Sequence, residues 1–249
     1  MTNVEVWYGL SKSEIEELES VDRLLLRRIL SAPVSTCSEA LFLETGCIDI
    51  GTIIKGRRLN FLHYLTKQDK NSMMYKFFKV QWDFPVKGDW SLDCRQDLED
   101  FNFPDSLEFF ENKSKDSFKR QVKQKCKEYA ANKFNLKKNT HSKMANLHYS
   151  ELKLQGYLEL EEISVENSKI LLSWRLRMAR FGANYGKRNE PCPLCKLHTE
   201  SQENCFNLCK EIKKNVMITC KYENIFHGPF TEIAQILKKI TKIRETSTM

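Results

Sequence analysis

Four cysteines and one histidine fall within residues 191–209, "PCPLCKLHTESQENCFNLC", in a chain of 249 residues that holds nine cysteines in all. Cys192 and Cys195 have the two-residue spacing with which a tight turn, here stiffened by Pro191 and Pro193, presents two thiolates to one tetrahedral ion. Cys205 and Cys209 stand four apart, and in a continuous helix they share a face. The two pairs, joined by a nine-residue loop, predict a closed zinc site of Cys192, Cys195, Cys205 and Cys209. With four protein ligands no position is left for a reacting water, so the zinc would be structural. The competing reading is a set of unbound thiols.

Other chemistry is thinly represented. Two-metal polymerases gather carboxylates on a pair of ions, and this chain has no adjacent aspartates. It also lacks a phosphate-binding P-loop pattern, G-x-S-x-G and H-E-x-x-H. His63, His141, His148, His198 and His227 are scattered with no nucleophile beside them, and the first three read as core or surface histidines.

Charge is more informative. Forty Lys and Arg against thirty-three Asp and Glu give a formal +7. Residues 113–143 alone hold eleven basic residues against Asp116 and Glu128, a net +9. Lys119, Arg120, Lys123 and Lys127 fall in one helical pattern there, and a basic helix face can track a phosphate backbone by releasing its counterions. A second cluster, Arg175, Arg177, Arg180, Lys187 and Arg188, precedes the cysteines directly. The plainer reading of the first cluster is a solvated face opposite a core stripe of Phe118, Val122, Cys126 and Tyr129.

The elements that must position these groups read as helices. Ser13 and Glu16 have capping-box spacing, and Ile15, Leu18, Val21, Leu25 and Ile29 follow at three- and four-residue steps until Pro33. Thr36 with Glu39 repeats the signal, and Gly46 marks a stop. Ile53, Ile54, Leu59, Leu62 and Leu65 continue the pattern, with Lys55, Arg57 and Arg58 near the opposite side. Further helices are predicted over 71–82, 92–101, 114–136 and from 164 through Met178, with a linker at 135–142. Residues 215–220 read as a short extended piece before a final amphipathic helix carrying Ile233, Ile236, Leu237 and Ile240. The expected fold is mainly α, divided into 1–110, a basic helical linker region 111–190, a cysteine module 191–212 and a tail 213–249. Neither a signal peptide nor a twenty-residue apolar span is visible, so a nuclear or cytoplasmic chain without a membrane partner is expected.

Several blocks carry a resemblance. "EVWYGLSKSEIEELESVDRLLLRRIL", "IIKGRRLNFLHYLTKQDKNSMMYKFFKVQW", "KGDW" and "RLRMARFGANYG" running into "CPLC" occur in this order, over essentially the whole chain. They resemble the C-terminal portion of LINE-type (non-LTR) retrotransposon reverse transcriptases. The resemblance implies a helical thumb, a helical linker and a CCHC zinc knuckle, with the polymerase palm upstream of the first block and so no catalytic centre in this chain. It implies RNA or DNA as partner. The family's knuckle histidine falls at Asn204, and the neighbouring Cys205 stands in for it, ahead of His198. The rival expectation is a helical scaffold, or a degraded reading frame, without nucleic-acid affinity.

Overall fold

The computed structural model describes residues 7, 9–138, 144, 147, 151–186 and 189–247. The mainly α class holds: these residues form twelve α-helices and short 3-10 turns, and no strand beyond one bridged residue pair. The helices are α1 (Lys12–Leu30), α2 (Ser38–Thr45), α3 (Ile50–Thr66), α4 (Met73–Asp83), α5 (Trp90–Asp100) and α6 (Leu107–Glu111). They continue with α7 (Lys115–Lys138), α8 (Gly156–Glu159), α9 (Val165–Arg175), α10 (Gln202–Asn207), α11 (Lys210–Asn215) and α12 (Phe230–Ser247). None of them is long and apolar enough to cross a membrane. Two compact units interleave in sequence, one drawn from 1–25, 47–135 and 150–152, the other from 26–46, 136–149 and 153–249.

The first unit is built around α3. Asp49 caps it by accepting the Thr52 N–H at 3.1 Å, and Leu59 and Leu62 are fully buried among Phe78 and Trp82 of α4, Leu98 of α5 and Phe118 and Val122 of α7. α7 approaches α3 closely because position 56 is glycine: a Cβ there would stand 2.5 Å from the Cys126 sulfur. Farther along, the His63 ring stacks on Phe118 at 4.7 Å. The sequence places Arg58 on a polar face of α3, but it is buried. α5 supplies two aspartates to it, Asp97 at 2.7 Å from Nε and Asp93 at 2.8 Å from Nη1.

Helix α1 begins two residues earlier than its sequence suggests. The reciprocal cap is made by Ser11 and Glu14, not Ser13 and Glu16: the Ser11 N–H donates to the Glu14 carboxylate at 2.8 Å and the Glu14 N–H to the Ser11 hydroxyl at 3.2 Å. Its apolar period is real, yet Val21, Leu25 and Ile29 are exposed and Leu26 is the buried position.

In the second unit α2 ends at Gly46, whose φ of 68° is left-handed, and a Cβ there would meet the Lys153 backbone at 2.4 Å. No side chain caps the start of α2, so the Thr36–Glu39 signal is not used. α9 packs along α12, burying Leu171 and Trp174 with Ile233, Leu237 and Ile240. It stops at Arg175, short of Met178, because Arg177 turns left-handed at φ 52°. Residues 216–220 form no strand.

Candidate metal centre and basic face

The cysteine segment folds as two short pieces. Residues 190–200 make a narrow hairpin: Pro191 bridges Thr199, the Cys192 N–H donates to the His198 carbonyl at 2.6 Å, and the Glu200 N–H to the Glu190 carbonyl at 2.8 Å. The turn between the first two cysteines closes with Lys196 N–H on the Cys192 carbonyl at 2.9 Å, Lys196 taking a left-handed φ of 54°. The second piece is α10, after which Cys209 stands at the cap position of α11. The helix therefore breaks between Cys205 and Cys209, and the continuous face expected for that pair is absent.

Three sulfurs nevertheless converge. Those of Cys192, Cys195 and Cys209 lie within 4.8 Å of one another, and Cys192 and Cys209 are 3.9 Å apart. A tetrahedral zinc with Zn–S bonds of about 2.3 Å holds its sulfurs about 3.8 Å apart, so this donor set fits the ion in both chemistry and spacing. Burial opposes a thiolate at Cys195, but the N–H groups of Leu197 and His198 and the thiols of Cys192 and Cys209 outweigh it, and its pKa lies below the ordinary thiol value. Cys209 is pushed up to about 11, by burial first and by Cys192 beside it, although the Ile212 N–H points at its sulfur.

The fourth sequence-derived ligand stands apart from this group. Cys205 is fully buried in α10 next to Cys192, its pKa raised by burial first and then by the neighbouring thiols. The Asn204 amide is turned away, its nitrogen donating to the Thr199 hydroxyl at 2.7 Å and to the Thr199 carbonyl at 3.2 Å. His198 is half-buried and its ring is not among the converging donors.

The basic residues separate into paired and unpaired. On α7, Lys133 is held by Asp49 at 3.0 Å and Glu19 at 3.1 Å, and Lys125 by Glu128 at 3.2 Å. What remains is a row at four-residue steps. Lys115, Lys119 and Lys123 are exposed and Lys127 half-buried, none with an ion-pair partner among the described residues. Exposed Arg120 lies beside the row, its Nε donating to the Asp116 carbonyl at 3.3 Å. A neighbouring stripe about a quarter turn away, Phe118, Val122, Cys126 and Ala130, is buried. Like charges at this spacing weaken a helix by a few tenths of a kcal/mol per pair, so packing of the apolar stripe holds α7 against them.

The second basic cluster is not one surface. Arg175 is buried at 1 % exposure, its Nε donating to Glu44 at 3.0 and 3.2 Å, which removes it from any phosphate-contacting role in this fold. Arg177 is paired with Glu203 at 2.7 Å, and Arg180 is exposed. Lys187 and Arg188 lie outside the described residues, as do His141 and His148. Comparison of the chain with family models, curated proteins and solved structures finds no match.

Proposed function

We propose that the chain binds nucleic acid, RNA or DNA, through the lysine row of α7, as a non-catalytic portion of a LINE-type reverse transcriptase would. The observation that carries the reading is the row itself. Lysines at 115, 119 and 123 are exposed and that at 127 half-buried along one strip of helix, and none has an acidic partner among the described residues. Four-residue steps advance about 6 Å along the helix axis, so the row forms a line of positive charge of the kind that neutralises a phosphate backbone. Exposed Arg120 widens the strip. Arg177 and Arg180 are a secondary contribution, the first already engaged by Glu203.

In the same reading zinc is held by Cys192, Cys195 and Cys209 with Cys205 as fourth ligand. Cys205, buried beside Cys192, is the thiol that would complete the set, while Asn204 keeps its bond to Thr199. Such an ion supplies cross-linking between the hairpin and the start of α11, with no reaction at the metal. A helical scaffold without affinity for nucleic acid is separated from this reading by a binding titration across salt, since only phosphate neutralisation gives a steep slope.

A further inference from the structure

Helix α4 is apolar on two faces. One face, Tyr75, Phe78 and Trp82, is buried in the first unit's core. The other is open to solvent: Met73 is 68 % exposed, Phe77 69 %, Val80 61 % and Phe84, which ends the helix, 76 %. A second apolar face on a helix is ordinarily covered by a partner, and a concentration of large exposed side chains of this kind marks a binding face.

The chemistry of the face selects its occupant. A groove of about 450 Å³ runs along it, lined by Leu65, Met74, Phe77, Val80, Gln81 and Phe84 among others. Phe77, Gln81 and Phe84 stand at i, i+4 and i+7, so the amide lies in one row between the two rings. That amide has no hydrogen-bond partner among the described residues. The charged residues that line the groove or lie near its lining residues in sequence divide into paired and unpaired. Asp83 is paired with Lys79 at 2.7 Å and the Asp89 carboxylate accepts the Val86 N–H at 2.7 Å, whereas Lys76 and Lys87 are exposed and without an acidic partner among the described residues.

From this arrangement we infer that the α4 groove binds unpaired bases of single-stranded nucleic acid. Phe77 and Phe84 offer ring faces for stacking, Gln81 offers one donor and one acceptor to a base edge, and Lys76 and Lys87 meet the phosphates. A purely apolar protein segment would leave the Gln81 amide unsatisfied, and a paired duplex cannot present base faces to the rings. The inference rests on the nucleic-acid reading above and adds to it a second site with a different preference, for strand rather than duplex.

The test uses the full chain, a fluorescein-labelled twelve-nucleotide single strand and the matching blunt duplex, each titrated by anisotropy. Phe77→Ala with Phe84→Ala is expected to weaken single-strand binding about ten- to hundred-fold, at one to two stacked bases, and to leave duplex binding within about twofold. The pair Phe77→Tyr and Phe84→Tyr should restore it, and the melting temperature should hold because neither ring is in the core. No loss on either overturns the inference while leaving duplex binding by α7 intact, and equal losses on strand and duplex overturn it because the rings then do not tell strand from duplex. A loss of self-association in sedimentation, with strand affinity unchanged, gives the face to a second copy of the chain and overturns it equally. If the unaltered chain binds neither probe, the nucleic-acid reading fails and takes this site with it.

Discussion

Arg175 and Glu44 form a buried ion pair across 131 residues of sequence, Nε donating to both carboxylate oxygens at 3.0 and 3.2 Å. The pair is fully supported. The Tyr157 hydroxyl donates to the same carboxylate at 2.9 Å, and Arg175 Nη1 donates to the Ile225 carbonyl at 2.8 Å. The guanidinium also lies over the Tyr157 and Phe226 rings at 4.9 and 5.1 Å. Its place in a run of basic residues therefore says nothing about its role, which is to tie α2 to α9.

Removing one partner strands the other charge in the core. Arg175→Ala is expected to cost about 3–5 kcal/mol of stability in urea denaturation. Arg175→Lys should recover only part, since an ammonium cannot reproduce the planar fork between two rings. If Arg175→Ala unfolds at the same urea concentration as the unaltered chain, the pair is not the tie described.

The cluster of Lys133, Asp49 and Glu19 makes a pH-dependent contribution. Burial works against the charge of Asp49, but Lys133 and Thr52 outweigh it and its pKa is lowered; stability from this group is present above its unfolded value near about 3.9 and lost as pH falls through the folded one. Burial likewise opposes Lys133, Asp49 and Glu19 prevail, and its pKa is raised; that stability is present below about 10.4 and lost as pH rises through the folded value. Glu19 is raised, by burial first and then by Asp49, so it takes up a proton before Asp49 on acidification. The stability lost in Lys133→Met should thus be greatest near neutrality and shrink below about pH 4. Denaturation at pH 7 and at about pH 2 checks this, and a loss that does not change with pH would mean the lysine contributes by packing alone.

Zinc content of purified variants tests the thiol assignment. Cys192→Ser, Cys195→Ser and Cys209→Ser should each lose the metal, Cys205→Ser should lose it as well, and His198→Ala should keep it. Retention by Cys205→Ser with loss in His198→Ala transfers the fourth ligand to the histidine.

Gly46→Ala is expected to be severely destabilising. A left-handed residue with a Cβ costs about 1–2 kcal/mol, and the clash at 2.4 Å is with backbone of residue 153, which cannot swing aside. A thermal melt within a degree of the unaltered chain would show that α2 ends differently.

How much of this was legible follows from the range of each signal. Local periodicity and punctuation carry the helices: Gly46 stops α2, and the four-residue spacing of Phe118, Val122 and Cys126 fixes the buried face of α7. What lay beyond reach was set by distant partners. Arg58 reads as a surface residue until α5 supplies Asp93 and Asp97, and Arg175 until α2 supplies Glu44. The cysteine pair Cys192 and Cys195 was legible from its own turn, whereas Cys205 was assigned on the assumption of a helix that breaks at 208, where Leu208 and Cys209 both donate to the Asn204 carbonyl. The open face of α4 had a signal, since Met73, Phe77, Val80 and Phe84 interleave with Tyr75, Phe78 and Trp82 and one helix cannot bury both sets against one core.

The claim that nucleic acid is held by the α7 row is tested most directly by the slope of log affinity against log salt, for the unaltered chain and for Lys119→Glu, Lys123→Glu, Lys127→Glu combined. The variant turns the 115–119 pair into an opposite-charge pair and leaves the 119–123 and 123–127 pairs like-charged, now acidic, so helicity by circular dichroism should be little changed. On duplex, each lysine that neutralises a phosphate contributes about 0.9 to the slope, and the variant should lose about 2 to 3 units of slope together with affinity across all sequences. A folded variant whose slope and affinity match the unaltered chain would contradict the account.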